Sequence, residues 1–532
     1  MVEERLLFVI SLLFAVMLLV ILGQKLKIAY PVFLVISGLL ISIVPGVQSK
    51  VISPDLVFLI FLPPLLYEAA WYTSWPNFWK MRVPIALHGF GLVIVTSIIV
   101  AYISEKMVPR FTLSIGLLLG GIISPPDAVA VGAVMKFFNL PRRIKTVLEG
   151  ESLVNDAASL TVFRFALTAV ISGTFVFQKA AVSFVMVTVM GILIGLIIAQ
   201  IIYFAHKLFT TSTSVATALT LITPYIMYLT AEHFHYSGVL AVVSGGLFLS
   251  YRAHEILNHK ARLQSHGVWS TLSFILNGLI FIMIGLQLPI IVNGLKYYTL
   301  TEAIRYGLWI SLLIIAIRLV WFFLVAYIPR WMSKNYRIRH GKPANREIFL
   351  VGWSGMRGVL SLASALAIPV LLADGNEFPE RDLVLFISFV VILVTLVLQG
   401  ISLPWLIRKL KIKGDQFKIP LDIQTGQIHL MLMKLSLERL KENYNQLMQS
   451  NNLVKSLELR LSNEIGITNE NIHSLQSQTD EQEQVKEYNQ VLLDIGEYQH
   501  RLLIKLRTND TFDEDVIRRE EERLDLDQNK IG

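Results

Sequence analysis

Four acidic residues stand inside stretches of the sequence that are otherwise almost entirely apolar. Asp127 lies within GGIISPPDAVAVGAV, Glu151 and Asp156 lie within GESLVNDAASL, and Glu68 follows FLPPLLY. A charged side chain in apolar surroundings is costly, and by default it marks either a functional site or an internal ion pair. These residues are therefore the first candidates for chemistry.

The GESLVND segment concentrates oxygen ligands on one side of a helix. Ser152 and Asp156 are four residues apart and share a face, and Asn155 lies three residues after Ser152. Their hydroxyl, carboxylate and amide carbonyl oxygens are hard ligands that suit small, hard cations. Asp127 lies beside a helix interruption with free carbonyl groups and is expected to complete the shell. The pattern predicts a Na⁺ site at Asp127, Ser152 and Asp156.

Burial favours the neutral form of a carboxyl group. Asp156 is therefore expected to hold a proton near neutral pH and to release it when a cation arrives. Competition between H⁺ and Na⁺ for one group is itself an exchange mechanism, in which a rocking step carries whichever ion is bound. Because Asn155, and not a second carboxylate, stands beside Asp156, one charge is neutralised in each half-cycle. The pattern predicts electroneutral 1:1 exchange.

The remaining buried charges need partners, because an unpaired buried carboxylate is expensive. Arg357, in GWSGMRGVLSLASALAIP, is the expected partner of Glu151, and a direct role of Glu151 in transport is the alternative. Glu68 is expected either to form a hydrogen bond with Asn155 or to line a gate. Two further arginines in apolar segments are interpreted as structural or interfacial residues and not as ligands: Arg164 and Arg318.

The elements that position these residues are expected to be membrane-spanning helices. The chain has 532 residues, of which 54% are hydrophobic and 16% charged, whereas soluble domains carry about 25% charged residues. A helix needs roughly 20 apolar residues to cross about 30 Å of hydrocarbon. Thirteen segments meet this requirement: about 6–22, 28–46, 51–70, 83–103, 111–134, 147–171, 180–205, 213–231, 236–251, 268–292, 303–328, 347–373 and 383–407.

The charges between these segments predict the orientation of the chain. Lys and Arg favour cytoplasmic loops, and here they concentrate in every second loop. We therefore expect the N-terminus outside, the C-terminus in the cytoplasm, and a location in the plasma membrane of a bacterium, surrounded by lipids. The chain has no cysteine, which excludes thiolate metal sites and Cys nucleophiles. Nothing in the sequence indicates a cofactor or a nucleic-acid partner.

Two of the predicted spans are interrupted midway. Pro125 and Pro126 break helix geometry in the fifth span, and Gly352, Gly355 and Gly358 loosen the twelfth. Paired interruptions in corresponding spans are typical of transporters built on inverted repeats. The two spans are seven apart, an odd number, so they run in opposite directions. The sequence predicts an all-α membrane protein with crossed broken helices in spans 5 and 12.

The C-terminal part differs from the rest in charge. Residues 1–413 carry 33 Lys/Arg and 17 Asp/Glu, whereas residues 414–532 carry 14 and 22. We therefore expect a transmembrane domain at 1–410 and a cytoplasmic helical tail at 411–532. Apolar residues at three- and four-residue spacings predict helices at 431–447 and 484–506. The tail is expected to be either a soluble appendage or a regulatory or dimer-stabilising domain with an unknown ligand.

Five motifs, in this order along the chain, resemble those of one family. The family comprises the monovalent cation/proton antiporters of the NhaP and eukaryotic sodium/proton exchanger branch, and the chain is similar to its bacterial-type members. The resemblance covers residues 5–410 and implies thirteen spans in two inverted six-span repeats joined by a linker helix. It also implies a mobile core, a dimerisation scaffold, a homodimer and an elevator-like cycle. The motifs are FLPPLLYEAA (61–70), SPPDAVAV (124–131), GESLVNDAASL (150–160), SGVLAVVSGG (237–246) and GWSGMRGVLSLA (352–363).

The resemblance also implies roles for individual residues. Asp156 would be the essential carrier carboxylate, and Asn155 would mark the electroneutral branch. The other implied roles are those of ion ligands for Asp127 and Ser152 and of an ion pair for Glu151 with Arg357. These roles agree with the interpretation of the residues themselves.

The chain departs from many relatives next to Asp127. Those relatives have Thr-Asp-Pro where this chain has Pro126-Asp127-Ala128. A threonine hydroxyl ligand is therefore missing, while the backbone carbonyl of Pro126 remains available. With this change in the ligand set, Na⁺, Li⁺ and K⁺ are all compatible with the expected site.

Other classes of function fit the sequence less well. A cation channel should show a continuous pore lining or a filter loop, and the sequence has neither. An intramembrane hydrolase using Ser152 would need a base and a nucleophile motif, which are also missing. A pure scaffold would leave the buried carboxylates without a purpose.

Overall fold

The computed structural model describes most of the chain. The described residues are 2–412, apart from 27, 45–56, 136, 137, 139, 174–176, 210, 211, 296, 333–343 and 373–375, followed by 421–476, 481–507, 520 and 524. Parts of the second, third and twelfth predicted spans and the end of the predicted tail lie outside the described residues. The chain divides into two compact units, Met1–Gly414 and Asp415–Gly532.

Helices form the regular structure of the first unit where it is described, apart from an isolated bridge between Leu371 and Glu377. The α-helices are α1 (Val2–Lys25), α2 (Tyr30–Ser42), α3 (Leu62–Tyr72), α4 (Trp75–Lys80), α5 (Arg82–Ala86), α6 (Val93–Met107), α7 (Leu113–Ile123), α8 (Ala128–Met135), α9 (Arg142–Ser172), α10 (Phe177–Phe209), α11 (Thr213–His233), α12 (Gly238–Tyr251), α13 (Ala253–Ile256), α14 (His259–Leu286), α15 (Leu288–Asn293), α16 (Leu300–Met332), α17 (Asn345–Trp353), α18 (Val359–Leu366), α19 (Arg381–Val394) and α20 (Gly400–Leu410). Three π-helical segments continue neighbouring α-helices: Val57–Phe61, Leu87–Leu92 and Thr395–Gln399.

Many of these helices have the length and composition of membrane spans. Within the described residues, seven are long and apolar enough to cross a membrane: Arg82–Met107, Arg142–Ser172, Ala181–Leu208, Thr213–His233, His259–Asn293, Leu300–Ile328 and Arg381–Leu410. Five shorter apolar helices accompany them: Ile10–Lys25, Tyr30–Ser42, Phe58–Tyr72, Leu113–Ile123 and Gly238–Tyr251. All of these overlap predicted spans, and α17 with α18 occupies the predicted twelfth. The count of thirteen crossings and the inverted repeats stay predictions.

The fifth and twelfth predicted spans are each built from two short helices. Residues 124–127 separate α7 from α8, and residues 354–358 separate α17 from α18. The two prolines account for the first break because they lack backbone N–H donors and restrict the residues before them. The two breaks contact each other, since the Asp127 backbone N–H donates to the Met356 carbonyl at 2.7 Å. The broken helices therefore meet at their interruptions.

The helices of the first unit pack as two bundles. The first bundle contains α5–α9 and α16–α20, with α7 packed against α6 and α9, and α16 against α17 and α19. The second bundle contains α1–α3 and α10–α14, with α14 packed against α2, and α12 against α3, α10 and α11. Contacts between the bundles involve α9 with α3, α10 and α12, α14 with α18, and α2 with α8. Buried residues of α1, α2 and α14 also belong to one apolar cluster with the first bundle.

Small residues allow the close approach that fixes the broken fifth helix within the first bundle. A Cβ atom on Gly116 of α7 would lie 2.7 Å from the Ala101 carbonyl oxygen of α6. A Cβ atom on Gly120 would lie 2.6 Å from the Ser97 Cα atom. Glycines four residues apart allow two membrane helices to pack backbone to backbone. This contact positions the end of α7, where the break begins.

The second unit contains four described helices. They are α21 (Leu421–Asn443), α22 (Asn445–Ser450), α23 (Asn452–Gln476) and α24 (Glu481–Arg507). Helices α21 and α23 pack together, with Gly426 close to the Ile472 side chain and an ion pair of 3.3 Å between Lys441 and Glu458.

Candidate functional site

A cavity of about 420 Å³ lies between the two bundles of the first unit. The first bundle supplies its wall from the break before α8, from α9 and from the start of α18, and the second bundle supplies α3 and α14. The structure thus brings together residues from five distant parts of the sequence. Its lining includes these polar residues, prolines and glycines: Glu68, Tyr72, Thr73, Pro125, Pro126, Asp127, Gly132, Glu149, Ser152, Asp156, Asn277, Gly358 and Ser361.

Asp127 stands where the second halves of both broken helices begin. Its carboxylate accepts hydrogen bonds from the backbone N–H groups of Val129, at 2.8 Å, and of Ala130 in α8. It also accepts a hydrogen bond from the N–H of Val359, the first residue of α18. Helix N-termini carry partial positive charge and unsatisfied N–H groups, so they stabilise an anion. The Asp127 carboxyl group is therefore anchored by backbone N–H groups at the beginning of two helices.

Arg357 lies at the same crossing, where the first halves of the two broken helices end. Its Nε donates to the carbonyl of Ile123, the last residue of α7, at 2.8 Å. Its Nη1 donates to the carbonyl of Gly355, just after α17. Helix C-termini carry partial negative charge, which a cation balances. Arg357 and Asp127 together neutralise the four helix ends that the two breaks leave inside the first bundle.

Ser152 and Asp156 lie on one face of α9 and project into the cavity wall, as their four-residue spacing predicts. Both side chains are half-buried. The Asp156 and Asp127 carboxyl groups are close enough to interact electrostatically. Among the described residues, no hydrogen-bond donor reaches the Asp156 carboxyl group. Asp127 and Asp156 therefore differ in their surroundings. Backbone N–H groups at helix ends hold the Asp127 carboxyl group, whereas no such donor reaches that of Asp156 in the part of the chain that the structure describes.

Asn155 lies behind the cavity and fastens α9 to the break of the fifth span. It is fully buried, and its Nδ2 donates to the Pro126 carbonyl at 3.1 Å. One turn further along α9, the Ser159 hydroxyl donates to the Gly121 carbonyl at 2.7 Å. The Pro126 carbonyl that was expected as an ion ligand thus already accepts one hydrogen bond and keeps one lone pair for a cation.

The expected ion pair of Glu151 with Arg357 is wrong. Glu151 forms a bidentate ion pair with Arg318 of α16, at 2.5 Å to Nη1 and 3.0 Å to Nη2, and each side chain is only 1% exposed. The Arg318 guanidinium also lies 4.8 Å from the centre of the Phe322 ring, on which His88 stacks. Arg318 is therefore a buried structural partner and does not reach a membrane interface. Arg357 is engaged instead with the carbonyl groups of the crossing.

Glu68 lines the cavity from the second bundle, opposite Asp127 and Asp156. This position fits the alternative in which it lines a gate. Sequence reasoning missed five further polar residues of the lining: Tyr72 and Thr73 at the end of α3, Asn277 on α14, and Glu149 and Ser361 on the first bundle. The signal available for Asn277 was a single amide within the apolar run WSTLSFILNGL.

Comparison with known proteins gives a consistent result. The family model described as "Sodium/hydrogen exchanger, transmembrane" matches residues 10–409. The chain is 35% identical over 419 residues to the "Sodium, potassium, lithium and rubidium/H(+) antiporter" of Bacillus pumilus, and the match covers 77% of this chain and 62% of that protein. It is 32% identical over 394 residues to the "Low-affinity Na(+)/H(+) antiporter NhaS1" of Synechocystis, covering 73% of this chain and 71% of that protein.

A solved structure shares the fold. The sodium proton antiporter MjNhaP1 from Methanocaldococcus jannaschii superposes with a TM-score of 0.60 at 17% identity, and the match covers 77% of this chain and 99% of that one. At this identity the likeness concerns the fold alone, a helical membrane fold of the antiporter type. The match with the chain covers 62% of the length of the antiporter from Bacillus pumilus.

Proposed function

The chain belongs to the sodium/hydrogen exchanger family, and from this premise we propose that it exchanges Na⁺ for H⁺ across the membrane, with Asp156 binding the two ions in alternation. The family consists of secondary transporters and not of enzymes, and the chain is a multi-pass membrane protein. The observation that carries the proposal is the cavity between the two bundles, which Asp127, Ser152 and Asp156 line together.

The surroundings of the two carboxyl groups support a 1:1 stoichiometry. The backbone hydrogen bonds that Asp127 accepts stabilise its charged form, and we propose that Asp127 stays ionised throughout the cycle. Asp156 is then the one group of the pair that exchanges a proton for a cation. Each half-cycle moves one positive charge bound to the same carboxylate, so the exchange is electroneutral.

The division into bundles supports an elevator-type cycle. All three proposed ion ligands belong to the first bundle, whereas Glu68 and Asn277 face them from the second. The most extensive helix packing occurs within each bundle, as between α6 and α7 in the first and between α2 and α14 in the second. We assign the first bundle as the moving core and the second as the scaffold, through which a homodimer forms.

Na⁺ is the proposed main substrate, and Li⁺ and K⁺ are proposed as further ones. The relative from Bacillus pumilus is named for sodium, potassium, lithium and rubidium. In this chain Pro126 replaces a threonine ligand, and a carbonyl oxygen without a matching hydroxyl gives a less specific shell. The resulting activity would contribute to pH homeostasis.

The orientation and the tail are part of the same proposal. Lys and Arg in alternate loops favour an outside N-terminus and a cytoplasmic C-terminus in the plasma membrane. Residues 411–532 would then form a cytoplasmic helical domain that regulates the transporter through a ligand of unknown identity.

Proton movement in proteoliposomes tests the proposal directly. Vesicles that contain a pH-sensitive dye and the purified full chain are given a pH gradient, and Na⁺, Li⁺, K⁺ or choline is then added outside. We expect saturable proton movement with the three alkali ions and none with choline. Proton movement that no alkali ion drives would overturn exchange, and non-saturating cation flux without protons would indicate a channel.

A further inference from the structure

A second cavity of about 320 Å³ lies between α9 of the first bundle and α11 of the second. Its walls combine apolar side chains with one basic and one acidic residue. Its lining residues include Phe58, Leu160, Phe163, Arg164, Leu229 and Glu232. This cavity is not the one that contains Asp156.

The two cavities flank Asp156 along the axis of α9. Glu149, in the first cavity, precedes Asp156 by seven residues, and Arg164, in the second cavity, follows it by eight. At 1.5 Å per residue these positions lie about 10 Å and about 12 Å from Asp156 in opposite directions. Phe58 lines both cavities, and Leu160 stands between Asp156 and Arg164 on α9. Apolar side chains therefore separate the ion site from the second cavity.

An ion pair joins the two bundles across this second cavity. The Arg164 Nη2 atom lies 2.5 Å from the Glu232 Oε2 atom. The other carboxylate oxygen of Glu232 accepts a hydrogen bond of 3.2 Å from the N–H of Gly238, the first residue of α12. Glu232 is thus fixed within the second bundle at a helix N-terminus, while Arg164 moves with the first bundle.

This partly exposed pair differs from the fully buried ion pair of Glu151 with Arg318. Glu151 and Arg318 both belong to the first bundle and are 1% exposed, so they stay together when that bundle moves. The side chains of Arg164 and Glu232 are 39% and 25% exposed. Solvent-accessible ion pairs contribute little stability, and such a pair breaks and re-forms readily.

We propose that Arg164 and Glu232 form a gate that closes the second cavity in the conformation seen here and separates when Asp156 becomes accessible through that cavity. The inference rests on the proposed exchange function. The pair biases the equilibrium between two conformations, one open at the first cavity and one open at the second. Removing its charge interaction favours the second conformation.

The accessibility of introduced cysteines tests the gate, because the natural chain has no cysteine. Ala69 is exposed and lines the first cavity, and Leu229 is 49% exposed and lines the second. A single cysteine is placed at either position, and the rate of labelling by a water-soluble maleimide is measured on the purified full chain. In the Glu232→Gln background we expect labelling at position 229 to become faster by up to about fivefold and labelling at position 69 to become slower, because loss of a partly exposed pair shifts the equilibrium between the two conformations by about that factor.

The matched control is Glu255→Gln. The Glu255 carboxylate accepts a hydrogen bond of 2.6 Å from Tyr203, and both residues belong to the second bundle. Removing this charge should leave both labelling rates unchanged. The charge-swapped variant Arg164→Glu with Glu232→Arg should shift both rates back toward those of the unmodified background, and only in part, because an arginine at position 232 cannot accept the hydrogen bond from the Gly238 N–H.

Labelling that is equally fast in the Glu232→Gln, Arg164→Gln and unmodified proteins would overturn the gate. If one of the two variants does not fold, the comparison of the other with the unmodified protein is sufficient for this test. Labelling does not require transport, so it separates this inference from the proposed function. Reciprocal shifts in a protein without cation-driven proton movement would support the gate while refuting exchange. Unchanged labelling in a protein that exchanges Na⁺ for H⁺ would refute the gate alone.

Discussion

Asp127 and Asp156 line the same cavity, but their carboxyl groups have different neighbours. Three backbone N–H groups from two helix ends donate to Asp127, whereas Asp156 projects from the middle of α9 beside Ser152. Hydrogen bonds to the charged form of a carboxyl group stabilise that form. The proposed division of roles between a fixed ligand and an exchanging carrier rests on this difference in backbone geometry around the two residues.

Asp156→Asn should abolish Na⁺-driven proton movement. The amide has nearly the same shape as the carboxyl group, but it cannot release a proton or neutralise a bound cation. The measurement is proton flux in proteoliposomes, with the melting temperature of the purified variant as the control for folding. Exchange that persists in a folded Asp156→Asn protein would remove this residue from the carrier role.

Glu151→Gln should destabilise the protein, because it leaves the Arg318 charge buried without a partner. The loss of one partner of a buried pair costs about 3–5 kcal/mol. Arg318→Met should cost a similar amount, and the double variant should cost clearly less than the sum, since no unpaired charge remains. Thermal unfolding of the four proteins checks this. Additive effects would show that the pair is not the stabilising unit.

The crossing of the two broken helices is the element that makes the site. Each break leaves one helix C-terminus, with partial negative charge, and one helix N-terminus, with partial positive charge, inside the membrane-embedded unit. The unsatisfied backbone groups of these ends need partners. Asp127 serves the N-terminal ends of α8 and α18, and Arg357 serves the C-terminal ends of α7 and α17. The same contact places a fixed negative charge beside the cavity.

Gly358→Ala should impair cation binding because of the space at this crossing. A Cβ atom on residue 358 would lie 1.7 Å from the Asp127 Oδ2 atom, so the carboxylate must move. A displacement of about 1 Å at a reacting group costs up to about a hundredfold in rate, and we expect the apparent affinity for Na⁺ to fall roughly tenfold or more. The measurement is the Na⁺ dependence of proton flux.

Gly132→Ala is the matched control for that variant. Gly132 also lines the cavity, but a Cβ atom there would meet no heavy atom within 4 Å. Its Na⁺ dependence should match that of the unmodified protein. Equal effects of the two substitutions would show that the close approach of residue 358 to Asp127 is not what limits binding.

At the scale of the whole membrane-embedded unit, the cavity proposed as the ion site lies between the two bundles. The proposed carrier and its ligands all belong to one bundle, and the second bundle contributes the opposite wall. Such an arrangement allows the site to change its access when one bundle moves against the other. The predicted consequence concerns the charge carried in one complete cycle.

The exchange rate should not respond to membrane potential. Movement of one net charge across 100 mV is worth about 2.3 kcal/mol, which corresponds to about fiftyfold in the distribution of ions. Electroneutral exchange lacks this dependence. Proton flux is measured with the potential set by a gradient of a permeant anion, so that no transported cation is involved. A rate that changes steeply with the potential would contradict 1:1 exchange.

The sequence alone determined the features that depend on near neighbours along the chain. Apolar runs predict the helices, the pair Pro125-Pro126 predicts the break of the fifth span, and the four-residue spacing of Ser152 and Asp156 places both on one face. These are local properties of a polypeptide with a 3.6-residue period. They were sufficient to identify five residues that line the cavity: Glu68, Pro126, Asp127, Ser152 and Asp156.

Only the tertiary structure decided which distant charges meet. Glu151 lies 167 residues from Arg318, and the sequence offered Arg357 as an equally charged partner. The choice depends on which helix packs against α9, and the helix ends at the crossing engage Arg357 instead. Packing between helices that are distant in sequence also brings Arg164 to Glu232 and places Asn277 in the cavity wall. Coulombic attraction acts on distance in space, and no spacing along the chain encodes the packing of helices that sets that distance.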